Sequence, residues 1–173
     1  MGKPQGIDFL IETLNICQHN GSVFFIIVGS GTEYGKIKNW MEANNPENIL
    51  LLSALPKNEY DELVGICDVG LIFLHKDFKI PNYPSRLLSY LEYKMPVLAA
   101  TDKNTDVGAD LIKNNCGIAV YSDDVQAMVV AINVFVSMSE NDFEKMRQNS
   151  FGFLKKEFQV SISYDKIINS VTY

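Results

Sequence analysis

Residues 68–100, DVGLIFLHKDFKIPNYPSRLLSYLEYKMPVLAA, restrict the fold more than any other stretch of the chain. Two runs, 69–74 and 97–100, are continuously apolar rather than alternating. That pattern belongs to strands covered on both faces by helices. Between them the sequence predicts a polar loop over 75–84 and a helix over 85–94. A strand, a crossover helix and a second strand make a βαβ unit, whose strands run parallel. Ligands of such sheets bind beyond the carboxyl ends of the strands, where this loop runs. Ser85 falls at the expected N-cap and Arg86 in the first helical turn. Free N–H groups and the positive dipole end favour an anion there. An Arg beside that end is a poor choice for stability alone, so it points to a phosphate between the two.

The rest of the chain repeats the alternation. A loop over 1–6 leads to a helix over 7–19, with Ile7, Leu10, Ile11 and Leu14 on one face. A strand over 23–28 ends at Gly29-Ser30-Gly31. A helix over 33–44 carries Tyr34, Ile37, Trp40 and Met41 on one side, and Asn45-Pro46 stops it. A strand over 49–52 and a helix over 58–67 complete the approach to the opening stretch. After it come a polar turn over 101–105, a short helix ending near Asn115, a strand over 117–121, and helices over 125–137, 142–158 and 163–171. Ser139 is a fair N-cap for the second of these three. The expectation is an α/β fold: a doubly wound, Rossmann-like parallel sheet forming one domain over residues 1–173. Such domains normally begin with a strand, yet this chain opens with a turn and a helix. It is therefore expected to be a fragment lacking its first strand, an idea that a sheet with no open position before Met1 would contradict.

With 173 residues and 47% hydrophobic content, one core is the default. A formal charge of -6 argues against a nucleic-acid footprint, and without a Lys/Arg run an anionic membrane surface is a poor partner too. No secretory signal or membrane-length apolar run is present, so a cytoplasmic protein is expected. Cys17, Cys67 and Cys116 are odd in number and lack CxxC spacing. They read as three buried thiols in a reducing compartment.

Gly29-Ser30-Gly31 follows a strand, but Tyr34 occupies the third glycine position of a dinucleotide fingerprint, so it supports a tight turn only. No GxxxxGK motif occurs. Lys3 and Arg86 are the candidate phosphate-binding cations, each at a loop-to-helix step. Set against this is the ordinary solvated role of surface Lys and Arg. His75 closes a strand at the ligand edge and is a candidate sugar contact. With His19 as the only other histidine, no metal site is expected. Asp68 and Glu92 form no evident acid–base pair. Ser85 lacks a nucleophile elbow and reads as a cap. Tyr83, Tyr90 and Tyr93 read as packing or surface residues.

These pieces, in this order, resemble the carboxyl-terminal, donor-binding half of retaining GT-B glycosyltransferases. More narrowly they are similar to the family 4 group that builds bacterial surface polysaccharides. The carrying residues are Gly2-Lys3-Pro4-Gln5-Gly6-Ile7-Asp8, Ile27-Val28-Gly29-Ser30-Gly31, Asn48-Ile49 and Cys67-Asp68-Val69-Gly70. The last block is Pro84-Ser85-Arg86-Leu87-Leu88-Ser89-Tyr90-Leu91 with Met95-Pro96-Val97. It looks like the pattern of the amino-sugar, fucosamine-type transferases in that group.

The resemblance implies a nucleoside diphosphate sugar as ligand, with UDP, and neither cofactor nor metal. Gly2, Lys3, Gln5 and Gly6, with Ser85, Arg86, Leu87 and Leu88, would hold the diphosphate. Ser53, Ala54, Leu55 and Pro56 would receive the base, and Ser89 would lie near the ribose. Transfer would proceed with retention, the donor phosphate helping to deprotonate the acceptor. The sequence departs from the pattern at Pro81 and Ser89, where relatives carry two glutamates, and at Lys94, where they carry glycine, so a different helix end is expected. The resemblance also implies an absent amino-terminal acceptor domain. Membrane contact, at the inner face, would run through that half. Two rivals are half of a non-hydrolysing UDP-sugar 2-epimerase and a non-catalytic α/β binding module.

Overall fold

The computed structural model describes residues 1–77 and 83–171. Pro81 and the neighbouring loop positions lie outside the described residues. Five parallel-paired strands stand among those described: β1 (Phe25–Val28), β2 (Ile49–Leu52), β3 (Gly70–Phe73), β4 (Val97–Thr101) and β5 (Gly117–Tyr121). The helices are α1 (Ile7–Cys17), α2 (Tyr34–Asn44), α3 (Lys57–Ile66), α4 (Arg86–Glu92), α5 (Val107–Lys113), α6 (Val125–Ser137), α7 (Glu140–Glu157) and α8 (Val160–Val171). A 3-10 turn over Lys3–Gln5 precedes them.

The central strand shows why its sequence is uniformly apolar. All five residues of β4 are buried, and the first four alternate between two cores. Leu98 and Ala100 join the core that holds Leu10 and Leu14 of α1 and Met128 of α6. Val97 and Ala99 join the core that holds Leu87 and Leu91 of α4 and Phe153 of α7. Each large side chain so buried contributes about 1.5–3 kcal/mol of hydrophobic stabilisation. The fold is thus an α/β domain wound on both faces, as its alternation of elements predicts.

The sheet itself differs from a continuous one. β1 and β2 form one piece, and β3, β4 and β5 form another in that order. Hydrogen-bond parity shows which edges face the break. Phe25 N–H donates to Asn48 O at 2.9 Å and Gly29 N–H to Leu52 O at 3.2 Å, so odd residues of β1 face β2. Gly70 N–H donates to Pro96 O and Leu74 N–H to Ala100 O, both at 2.9 Å, so even residues of β3 face β4. Alternation then leaves Ile26 and Val28 on one open edge and Leu71 and Phe73 on the other. These edges line a single cavity of about 1270 Å³.

Three expectations need correction. Lys94 does not change the helix end: at φ 55 it takes the left-handed conformation a glycine would take. Met95 N–H bonds Tyr90 O at 2.8 Å and Lys94 N–H bonds Leu91 O at 3.1 Å, which together make a Schellman motif. The thiols are not all buried, since Cys67 is half-buried while Cys17 and Cys116 are enclosed. Burial pushes the Cys116 thiol up to about 12 and raises those of Cys17 and Cys67. Finally, β1 starts at Phe25 rather than residue 23, because Phe24 is 61% exposed and lies outside the ladder.

Candidate functional site

The carboxyl end of the sheet is built around the turn at residues 2–6. Gly6 adopts φ 56, and a Cβ there would stand 2.9 Å from Leu74 O. Only glycine allows so close an approach in this conformation. His75 N–H donates to Pro4 O at 2.9 Å. The turn is therefore seated on the end of β3. Its other side meets the Gly29-Ser30-Gly31 turn, where the Met1 ammonium bonds Ser30 O and Glu33 N–H bonds Met1 O at 3.2 Å. Gly31, at φ 133, has no room for a side chain because the Met1 backbone fills that space. The GxG turn thus holds this chain's own first residue.

Within the turn most polar groups are already paired. Gln5 Oε1 accepts the Gly2 N–H at 2.7 Å, and Gln5 N–H returns to Gly2 O at 3.0 Å. Gly6 N–H donates to Lys3 O at 3.3 Å. Pro4 has no N–H, so Lys3 alone in this turn, among the described residues, keeps an unpaired N–H. Its ammonium is exposed and makes no ion pair among the described residues. Gln5 braces the turn with its oxygen and has its NH₂ left to donate.

The start of α4 departs from expectation. Ser85 occupies the N-cap position but accepts no side-chain cap bond. It is helical, at φ −55 and ψ −30, whereas a capping side chain needs an extended backbone. The first turn tightens instead, with Leu87 N–H bonding Pro84 O at 2.9 Å and Leu88 N–H bonding Ser85 O at 3.2 Å. Those two N–H groups are therefore committed inside the helix. The Leu87 side chain is fully buried in the core and Leu88 is exposed. Arg86 is half-buried, pairs with no carboxylate among the described residues, and borders the large cavity together with Gln5 and Met1. Ser89, three residues on, lies on the same side of the helix and is half-buried.

Ser53, Ala54 and Pro56 are exposed and Leu55 half-buried in the loop after β2, at the same end of the sheet but beyond β1. His75 Nδ1 accepts the Asp77 N–H at 3.2 Å, which leaves Nε2 to carry the proton of the neutral ring. Tyr83 turns away from a ligand role: it bonds Asp110 and packs 5.7 Å from the Phe158 ring. Among the described residues no three His, Cys, Asp or Glu side chains stand close enough to hold a metal.

Three residues matter here that their sequence context leaves inconspicuous. Tyr90 donates to Leu71 O at 3.3 Å on the open edge of β3, and desolvation by burial, ahead of smaller charge effects, raises its phenol well above the usual tyrosine value. Asp102, just beyond β4, is buried and accepts from Asn104 N–H, Thr105 N–H and Thr105 Oγ1. Burial opposes its charge, but these hydrogen bonds outweigh burial and hold it below the ordinary carboxylate range. Aspartate followed within three residues by Asn and Thr after an apolar run is an Asx-turn signal. Asn48 Nδ2 reaches Cys17 O, Asn20 O and Val23 O, tying the end of α1 to the start of β2.

A doubly wound, Rossmann-like parallel sheet is the fold found in GT-B glycosyltransferases. The chain belongs to the Glycosyl transferases group 1 family, whose pattern matches residues 1–152. The fold is similar to that of a Staphylococcus aureus TarM mutant in complex with fondaparinux, alpha-GlcNAc-glycerol and UDP (TM-score 0.79, 18% identity, covering 98% of this chain and 33% of that one). It is also similar to Anabaena Alr3699/HepE in complex with UDP-glucose (0.77, 16%, 99% and 46%). A glycosyltransferase from Rickettsia africae gives 0.78 at 15% identity, covering 98% and 44%. The chain thus spans a third to less than half of these proteins. No curated protein matches it.

Proposed function

We propose that this chain is the donor-binding half of a retaining glycosyltransferase, taking a UDP-linked amino sugar for transfer to a surface-polysaccharide precursor. The observation that carries the reading is the turn at residues 2–6 seated on β3. It brings the unpaired Lys3 N–H and ammonium to the sheet end from which Arg86 opens α4. A departing diphosphate develops negative charge, and fixed N–H donors with two cations stabilise it without a metal. Arg86 would offer two parallel hydrogen bonds, and Lys3 a point charge. The Gln5 NH₂ would add a donor, and His75 Nε2–H would face the sugar. The loop at Ser53 to Pro56 would receive the base, with Ser89 replacing the acidic ribose contact. An amino-terminal acceptor domain would complete the enzyme at the cytoplasmic face of the membrane. Among the described residues no helix is long and apolar enough to cross one.

The test is a titration with UDP, GDP and ADP followed by amide chemical shifts. Saturable UDP binding, with shifts at Lys3 to Gly6 and at Arg86 to Ser89, is expected. A preference for GDP or ADP would replace the base but keep the diphosphate site. Silence from all three, in this chain and in one extended with a GT-B acceptor domain, would overturn the reading.

A further inference from the structure

Tyr83 joins elements that lie far apart in the sequence. Its hydroxyl donates to Oδ2 of Asp110, in the middle of α5. Its ring packs against Phe158, the residue capping the end of α7, with centroids 5.7 Å apart. Phe158 in turn meets Phe153 edge-on at 5.2 Å. Phe153 is buried in the core that also holds Leu87 and Leu91 of α4 and Leu111 of α5. Tyr83 is therefore held at both ends, its hydroxyl on α5 and its ring on α7. Phe158 lies beyond residues 1–152, so this contact falls outside the stretch that matches the family.

Packing alone does not account for the arrangement. Tyr83 is 39% exposed, so its ring adds little to the core. A phenol O–H on a carboxylate is a charge-assisted hydrogen bond, stronger than a neutral one. What that bond fixes is the point where the chain enters α4. Pro84 follows directly and is buried. Pro84 O accepts the Leu87 N–H and Ser85 O accepts the Leu88 N–H. The first turn of α4 is thus built on the two residues after Tyr83, and Arg86 stands inside it. The Arg86 guanidinium has no carboxylate partner among the described residues to hold it. Its placement depends on a backbone fixed from outside.

We propose that Tyr83 is a positioning residue: bonded to Asp110 and packed on Phe158, it fixes the first turn of α4 and so sets Arg86 for a diphosphate before any ligand arrives. Its last step rests on the nucleotide reading; the hold on α4 does not. Tyr83 acts through Arg86 and not by contact with the ligand. A site that must order its side chain during binding loses affinity relative to one already arranged.

Three variants test this: Tyr83→Phe, Asp110→Ala and the two together. Tyr83→Phe keeps the ring on Phe158 and removes only the hydroxyl. Amide hydrogen exchange without ligand is read at Leu87 and Leu88, against Ala99 and Ala100 of β4. Tyr83→Phe is expected to speed the first pair by on the order of tenfold and leave the second unchanged. UDP affinity, by calorimetry, is expected to fall about threefold to tenfold in each single variant and no further in the double one. In an Arg86→Ala background Tyr83→Phe should leave UDP affinity unchanged, because the group it positions is gone. A tyrosine serving stability alone would lower the unfolding midpoint without touching affinity. Unchanged exchange at Leu87 and Leu88, or unchanged affinity, in Tyr83→Phe overturns the inference. So does an affinity loss that is as large without Arg86 as with it. Faster exchange in a chain that binds no UDP, even when extended with an acceptor domain, overturns the nucleotide reading and the role of Arg86 while upholding the hold of Tyr83 on α4.

Discussion

The Nδ2 of Asn48 lies 2.9 Å from the carbonyl oxygen of Cys17, and the same nitrogen reaches Asn20 O at 3.1 Å and Val23 O at 3.2 Å. One amide thus adds a donor to three carbonyls at the end of α1 and the turn that follows, two of which, Cys17 O and Asn20 O, already accept the Asn20 and Val23 N–H groups. Asn48 is buried, so its loss would leave Val23 O without this donor, and Cys17 O and Asn20 O with one donor fewer, in a place water reaches poorly. Asn48→Ala is expected to cost about 1–3 kcal/mol, the scale of unsatisfied buried polar groups. Asn48→Asp should cost as much or more, because it replaces the donor with a charge facing carbonyl oxygens. Urea unfolding of both variants checks this, and a loss below 0.5 kcal/mol would show that water replaces the amide.

Lys94 offers a test of backbone strain. A left-handed conformation costs an L-residue about 1–2 kcal/mol, and glycine gives back about 0.5–1 kcal/mol of that advantage through its greater freedom when unfolded. Lys94 also lies 5.4 Å from the Phe151 ring, a contact that both truncations remove. Comparing Lys94→Gly with Lys94→Ala cancels that loss. The glycine variant is expected to be the more stable by about 0.5–1 kcal/mol. Equal midpoints in denaturant would mean that the Schellman hydrogen bonds tolerate the alanine without strain.

How much of this was legible depended on whether a feature is local. The uniformly apolar run at Val97 to Ala100 marks a doubly covered strand because burial on two faces leaves no position polar. The limits of β5 and α6 match the sequence reading because turn residues bracket both. Ser85 misled, since its side chain satisfies the cap rule while the tight turn from Pro84 forces a helical backbone on it. Lys94 misled in the opposite sense: side-chain identity argues against a left-handed residue, but the bonds from Lys94 and Met95 back into α4 impose one. In the candidate site, Lys3 and Arg86 stood out as cations at helix starts. The commitment of the Gly2, Leu87 and Leu88 N–H groups did not, because hydrogen-bond partners are set by backbone angles that composition does not encode. Which strand edges lie open follows only from bond parity.

Asp102 sets an acid limit on stability. Its carboxylate is held below the ordinary aspartate value of 3.8 in the folded chain. A depressed folded value means that the charged form stabilises the fold, fully so above 3.8. That contribution is lost as pH falls through the lower folded value. Asp102→Asn keeps the shape and removes the charge, so it should lower stability at pH 7 and flatten the decline below pH 4. Losing the charge-assisted hydrogen bonds is expected to cost about 1.5–3 kcal/mol at neutral pH. Parallel stability curves for the two proteins between pH 2 and 7 would remove Asp102 from the acid transition.

Arg86 decides whether the basic end of the sheet is a site or only a solvated surface. It is half-buried, without a carboxylate partner among the described residues, and begins a helix whose next two N–H groups are already bonded. A diphosphate held there would depend on the guanidinium more than on the helix backbone. Arg86→Ala is expected to weaken UDP binding by about 1.5–3 kcal/mol, the scale of a hydrogen bond to a charged group. Arg86→Lys should recover only part of this, because an ammonium keeps the charge and loses the paired donors. Lys3→Ala removes the ammonium but leaves the Lys3 N–H in place, so its effect should be smaller and should fade as salt is raised. Calorimetric titration of the three variants at two salt concentrations reads all of this. An affinity unchanged by Arg86→Ala would take Arg86 out of the site and leave the Lys3 turn as the sole anchor for phosphate.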